Sequence, residues 1–167
     1  MKEFLEGRRF GFALRPLLGH IALGSAIAVL ILDLMAWMGW GVRDTNGFVV
    51  ANAWLTVATA VFAALATIAA LVESTDAAEE DRSLARLDVL AALVAVVLYA
   101  TSSALRVVDL GAAGASPGAV VSGFAGLIVL LVDGVIAATL YSSREWAVLD
   151  EDEYEPRRHQ KRRSRSV

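Results

Sequence analysis

The chain has 167 residues, 57% of them hydrophobic, with a mean hydropathy of +0.58 and a formal net charge of −3. Soluble domains carry about 45–50% apolar residues; the excess here is gathered into four blocks, which points to one domain with a bilayer as its solvent. The absence of cysteine excludes disulfides, thiolate metal sites, iron–sulfur clusters and thioether-linked haem, and two histidines, His20 and His159, do not suffice for a histidine-rich metal site within one chain.

Residues 1–16 carry Lys2, Arg8, Arg9 and Arg15 and read as a cytoplasmic N-terminal segment. The first apolar block, 17–40, is too long for the core of a signal peptide and no Ala-x-Ala site follows it, so it reads as a retained helix. Gly39, Gly41, Asp44, Asn46 and Gly47 then mark a tight turn. The second span is placed at 49–72. Ser74, Thr75 and Asp76 can cap a helix over 77–87, with Glu79 completing a capping box, and that charged helix runs into the third span at 86–107. Residues 111–118 form a flexible connector, with Ser116 as N-cap and Pro117 as first helical residue of the fourth span, 118–141. Each span is long enough to cross about 30 Å of hydrocarbon as a helix, and backbone groups in lipid must be satisfied within the segment.

These spans make the fold all-α: an integral membrane up-down-up-down four-helix bundle over residues 17–148. Residues 149–167 hold five acids followed by six basic residues and read as a charged, disordered cytoplasmic tail. Of the fifteen Lys and Arg, only Arg43 and Arg106 fall on the face opposite the termini, so the positive-inside rule puts both termini in the cytoplasm. Trp37, Trp40, Phe48 and Trp54 then gather at the outer interface, and Phe10, Phe12, Tyr141 and Trp146 at the inner one.

The residues that invite a functional reading are polar groups in or beside the spans. A carboxylate at a helix centre costs roughly 2.5–3.5 kcal/mol on insertion scales, and Asp33, Asp88 and Asp133 lie inside or at the edges of the spans, with His20 at the edge of the first. His20, Glu73 and Asp88 fall at the inner end, where Asp88 is expected as an interfacial residue near Arg86 or His20. Asp133 lies about a third of the way in, level with Ser25 and Thr67; Asp33 lies about two thirds across, level with Thr56, Thr59, Tyr99, Thr101 and Ser102, some 12 Å from Asp133 in depth at 1.5 Å per residue. No Lys or Arg falls at either depth. Each deep aspartate is therefore expected to take hydrogen bonds from hydroxyls, to keep its proton, or to meet an arginine from another subunit.

Pro16, Leu17, Leu18, His20 and Asp33 carry a resemblance. They resemble the opening helix of domain-of-unknown-function family 2231, uncharacterised bacterial four-span membrane proteins in which that helix begins His-Pro-Leu-Leu-x-His-Phe-Pro and has an acid near its end. The Ala-rich second helix ending in Glu73, the Arg-rich entry to the third and the Leu140-Tyr141 close of the fourth extend the likeness over residues 14–148. The resemblance implies four spans laid out like a membrane cytochrome, with haem held by histidines. The family's leading His is Arg15 here, and Leu84 and Asp88 occupy the neighbourhood of its third-helix His. His20 is thus the one cofactor candidate, as a haem ligand, and no other cofactor is predicted.

No Ser-His-Asp set, P-loop or nucleotide fingerprint occurs, so no enzymatic activity is expected. The leading expectation is a non-enzymatic accessory or interaction subunit of the plasma membrane, whose partners are the lipid bilayer and a second copy or another membrane subunit, not nucleic acid. The alternatives are a proton-linked transporter or channel using Asp33 and Asp133, and a haem or quinone redox protein using His20.

Overall fold

A computed structural model describes residues 14–41, 46–75, 79 and 81–163, with side chains as far as Leu140. It contains four helices: α1 (Leu14–Trp37), α2 (Gly47–Ser74), α3 (Arg82–Val108) and α4 (Pro117–Arg163). The first three, and Pro117–Leu140 of the fourth, are each apolar enough to cross a membrane. The shortest, 24 residues, is about 36 Å long at 1.5 Å per residue, against a hydrocarbon core of about 30 Å. The protein is a small multi-pass four-helix up-down bundle. Its helices form a ring in which α1 meets α2, α2 meets α3, α3 meets α4, and α4 closes on α1. Leu14, Ser74, Arg82 and Leu140 lie at one end, here the terminal end; Trp37, Gly47, Val108 and Pro117 lie at the other, the loop end.

Local chemistry sets the helix limits. α1 stops three residues short of the expected boundary because Gly39 takes φ +75° and the backbone closes a Schellman turn: Trp40 N–H donates to Met35 O at 3.1 Å and Gly39 N–H to Ala36 O at 3.0 Å. Asn46 caps α2, its side chain accepting from Phe48 N–H at 3.1 Å and donating to Ala113 O at 3.0 Å, which ties the first loop to the third. Ser116 O takes the first bonds of α4 ahead of Pro117, but the Ser116 hydroxyl, expected as the cap, makes no hydrogen bond among the described residues. Asp109 accepts from Ser116 N–H at 2.9 Å and holds the α3–α4 connector. α3 begins at Arg82, not at the expected residue 77: Glu79 and Asp81 lie in turns, and Ser74 and Thr75, expected to cap it, donate back to Leu71 O and Val72 O of α2 at 2.7 Å each; Asp76, Ala77, Ala78 and Glu80 of the proposed capped helix lie outside the described residues. α4 does not end at Tyr141: its backbone continues to Arg163, through residues 149–163 of the segment expected as a disordered tail.

Packing is small-inside and large-outside. The core is built on Ala22, Ala26, Ala63, Ala95, Tyr99, Leu127 and Leu130. More than two dozen large apolar side chains of the described residues face outward, among them Ile31, Leu87, Val97, Phe124 and Val135. In water each would forgo about 1.5–3 kcal/mol of burial; against acyl chains the arrangement is favourable, and Ala seams let the backbones come close. Trp37, Trp40 and Trp54 are exposed at the loop end, where indole rings suit a membrane interface, whereas Phe48 turns in against Gly41. The side chains of Phe10, Phe12, Tyr141 and Trp146 lie outside the described residues.

Candidate functional site: two buried ion clusters

The deep aspartates have cationic partners within the chain, contrary to the depth argument from sequence. At the loop end Arg106 of α3 grips Asp33 of α1 with both nitrogens, Nη1 to Oδ1 at 2.7 Å and Nη2 to Oδ2 at 2.6 Å. The guanidinium is wholly buried. Its Nε donates to Ser102 Oγ at 3.2 Å, and Ser102 in turn donates to Ala119 O at 2.7 Å. Asn52 of α2 donates to Asp33 Oδ1 at 2.7 Å and to Val29 O at 3.0 Å. One charge pair thus draws on all four helices. Gly123 makes room for it: a Cβ there would sit 3.2 Å from Ser102 Oγ and 3.5 Å from Arg106 Nη2.

At the terminal end Arg15 of α1 meets two acids through one nitrogen. Its Nη2 donates to Asp88 Oδ1 of α3 and, at 3.1 Å, to Asp133 Oδ1 of α4. Arg15, Asp88 and Asp133 are only 3–4% exposed. Asp88 is therefore not the interfacial residue beside Arg86 or His20 that was expected; both of those side chains are exposed. Beside the cluster lies a cavity of about 20 Å³, walled in part by Arg15, Glu73, Ser74, Asp88 and Leu140. That is room for one water molecule.

Sequence depth failed because it places Cα atoms, whereas an arginine acts at the end of a long stem. The Arg15 guanidinium lies along Gly19, one turn deeper, with Nη1 3.8 Å from where a Cβ would stand. Arg106 leans back toward the N-terminus of its helix, as helical side chains do, and reaches Ser102 one turn inward. Both arginine–aspartate links, Arg106–Asp33 and Arg15–Asp88, join α1 to α3, which are opposite in the ring. Each crosses the bundle diagonal, a distance that the alanines between cannot fill.

The hydroxyls expected to serve the acids are used otherwise. Thr67 Oγ1 donates to Ala63 O at 2.8 Å and Thr101 Oγ1 to Val97 O at 2.8 Å, within their own helices. Ser25 Oγ donates to Ile21 O at 2.9 Å and lies 2.9 Å from Thr59 Oγ1, joining α1 to α2. Thr56 bonds Asn52 O at 2.6 Å. The Tyr99 hydroxyl and Asn52 Oδ1 are buried and have no hydrogen-bond partner among the described residues. Asn52 was legible as an amide inside a span, and Arg15 as a cation at the mouth of one; neither was recognised as part of a cluster.

His20 stands apart from both clusters. Its Nδ1 lies 2.6 Å from Pro16 O, a contact that requires the proton on Nδ1 and leaves Nε2 as the free acceptor on an exposed face. A bis-histidine haem needs two imidazoles per iron. On the described residues His20 supplies one, outward, while the neighbouring interior is occupied by Arg15 and Ala22, so these residues do not fit a haem held within one bundle. No group of three or more His, Asp or Glu that could hold a metal ion occurs among the described residues. No family model matches the chain, and neither the curated proteins nor the solved structures contain a match to it.

Proposed function

We propose that this protein is a non-enzymatic accessory or interaction subunit of the plasma membrane, with both termini in the cytoplasm. The observation that carries the reading is the use to which the intramembrane charges are put. Both arginines are bound to the bundle's own aspartates across its diagonal, and the small-residue core lies between them. That arrangement makes a stiff frame braced at both ends, in which the acids serve helix packing. Arg106 in particular occupies both oxygens of Asp33, the residue on which a transport pathway through Asp33 and Asp133 would depend. The four-span layout of family 2231 is consistent with this reading; the haem reading at His20 would need a second copy.

The outer surface suits a helical partner. Gly24 on α1 and Gly134 on α4 face outward, with no atom within 4 Å of where a Cβ would stand, which leaves close-approach notches amid large apolar side chains. The cysteine-free chain allows a clean test. A photocrosslinking residue placed at Gly24 or Gly134 in native membranes is expected to give a discrete larger protein adduct, and one at Val97 to give lipid adducts only. Lipid adducts alone at all three positions, together with a monodisperse monomer in mild detergent, would remove the proposal. The orientation rests on thirteen of fifteen basic residues lying on the terminal side, and impermeant labelling tests it separately.

A further inference from the structure

The two clusters differ in charge. At the loop end one guanidinium faces one carboxylate, and the pair is neutral. At the terminal end one guanidinium faces two carboxylates. The Asp88 and Asp133 oxygens share a single donor nitrogen, so they lie within about 6 Å of each other by the two contact lengths. Both carboxyls are about 4% exposed. Other described charged groups near this end do not restore the balance. Glu73, at the end of α2, lines the cavity and brings no positive charge; Arg82 and Arg86 of α3 are exposed, Arg82 lying 3.5 Å from Glu79; His20 of α1 faces outward. Two like charges at such separation in a low-dielectric interior do not both persist when one proton can neutralise the surplus.

We propose that Asp88 and Asp133 hold one exchangeable proton between them, and that the water-sized cavity beside Glu73 is its route to solvent at the terminal end. The proton sits on one carboxyl oxygen as the surplus charge's counterion, with Arg15 neutralising the other carboxylate. Release breaks that O–H bond. The proton passes to a water in the cavity, giving hydronium, and on to the Glu73 carboxylate or to bulk water; the cluster is left with one net negative charge. A metal cation is a poorer counterion here. It would need six or so oxygen ligands, more than a cavity of about 20 Å³ beside a guanidinium can offer. The site goes beyond the accessory-subunit reading, because a frame that only braces helices needs no access path for a proton.

Infrared spectroscopy of the full chain in liposomes, with aspartate labelled by ¹³C at the side-chain carboxyl, reads the proton directly. The expected result at neutral pH is one protonated aspartyl C=O band in the wild type, of equal size in sodium chloride and in choline chloride, that shifts on transfer to D₂O. Asp88→Asn and Asp133→Asn should each abolish it. Ala85→Leu, which fills the cavity wall, should keep the band and slow its D₂O shift at least tenfold. Three results would overturn the proposal: no protonated aspartyl band in the folded wild type, a band that survives in both Asn variants, or a band that grows when sodium is withdrawn. The wild-type spectrum decides the central claim even if a variant fails to fold. Loss of partner crosslinks at Gly24 or Gly134 would count against the proposed function and leave this site untouched.

Discussion

Removing the carboxylate of Asp33 is the most direct test of the idea that the bundle is braced by diagonal arginines. In the wild type Asp33 accepts two charge-assisted bonds from Arg106, at 2.7 and 2.6 Å, and one from Asn52 at 2.7 Å. Bonds to a charged group contribute about 1.5–3 kcal/mol each. The Asp33→Asn variant leaves Arg106, wholly buried, without its counter-charge. Breaking such a pair on one side costs about 3–5 kcal/mol, because the remaining charge is stranded. Replacing both partners is a different perturbation. In an Asp33→Leu, Arg106→Met double variant Ser102 keeps its bond to Ala119 O, and Asn52 keeps its bond to Val29 O. No charge is left behind, and the loss should shrink to about 1–2 kcal/mol. The assay is reversible unfolding by SDS in mixed micelles, followed by fluorescence of Trp37, Trp40 and Trp54 at the loop end. Leu34→Ala, beside Asp33 but 46% exposed, is the control and should cost less than about 1 kcal/mol. If Asp33→Asn lies within about 1 kcal/mol of the wild type, or if the double variant is as unstable as the single one, Arg106 is not a brace and the reasoning is wrong.

Three further outcomes follow from the same geometry. Gly126→Ala drives a Cβ to 2.7 Å from the Tyr99 ring and should cost about 1–3 kcal/mol, whereas Gly134→Ala, with open space at its Cβ, should be nearly neutral in the same unfolding assay. Tyr99→Phe removes a buried hydroxyl that has no partner among the described residues, and should leave stability unchanged or raise it by up to about 1 kcal/mol; a loss above about 2 kcal/mol would mean that the hydroxyl is bonded. In the cysteine-free background, Thr75→Cys and Met38→Cys should react with an impermeant maleimide from opposite sides of the membrane, with Met38→Cys the one labelled in intact cells. Labelling of both from one side would contradict a membrane crossing by α2.

The helices were legible because lipid leaves the backbone few choices. A run such as Val49–Val72 has to satisfy its own N–H and C=O groups, so its hydropathy alone predicts a helix, and short connections predict the antiparallel order. Turn chemistry was legible for the same reason: Gly39, Asn46 and Ser116-Pro117 carry local instructions that hold in any surroundings. The clusters were not legible, because their meaning is relational. Asp33 looked unpartnered since Arg106 stands two residues before the end of α3 at Val108, apparently shallower than the acid it binds. What the linear ladder lacked was the direction and reach of the stem, which lays the Arg15 guanidinium along Gly19 and turns the Arg106 guanidinium back to Ser102.

Alanine seams bring neighbouring helices together, but they do nothing for the pair across the ring. α1 and α3 can be joined only by a side chain long enough to cross the middle, and between the two ends the core is made mostly of alanines, with Tyr99, Leu127 and Leu130 among them. An apolar residue at Arg15 or Arg106 would fill part of the diagonal without specifying which helix stands opposite. The Arg106 guanidinium specifies it, because its fork is closed by the two oxygens of one acid, Asp33, at one height on α1. The bundle therefore places one arginine near each end of the same diagonal. The Arg106 fork is closed by a single acid, and the Arg15 nitrogen is shared by two. That difference is where the sequence departs from the minimum needed to hold four helices together, and it is what the infrared measurement on Asp88 and Asp133 interrogates.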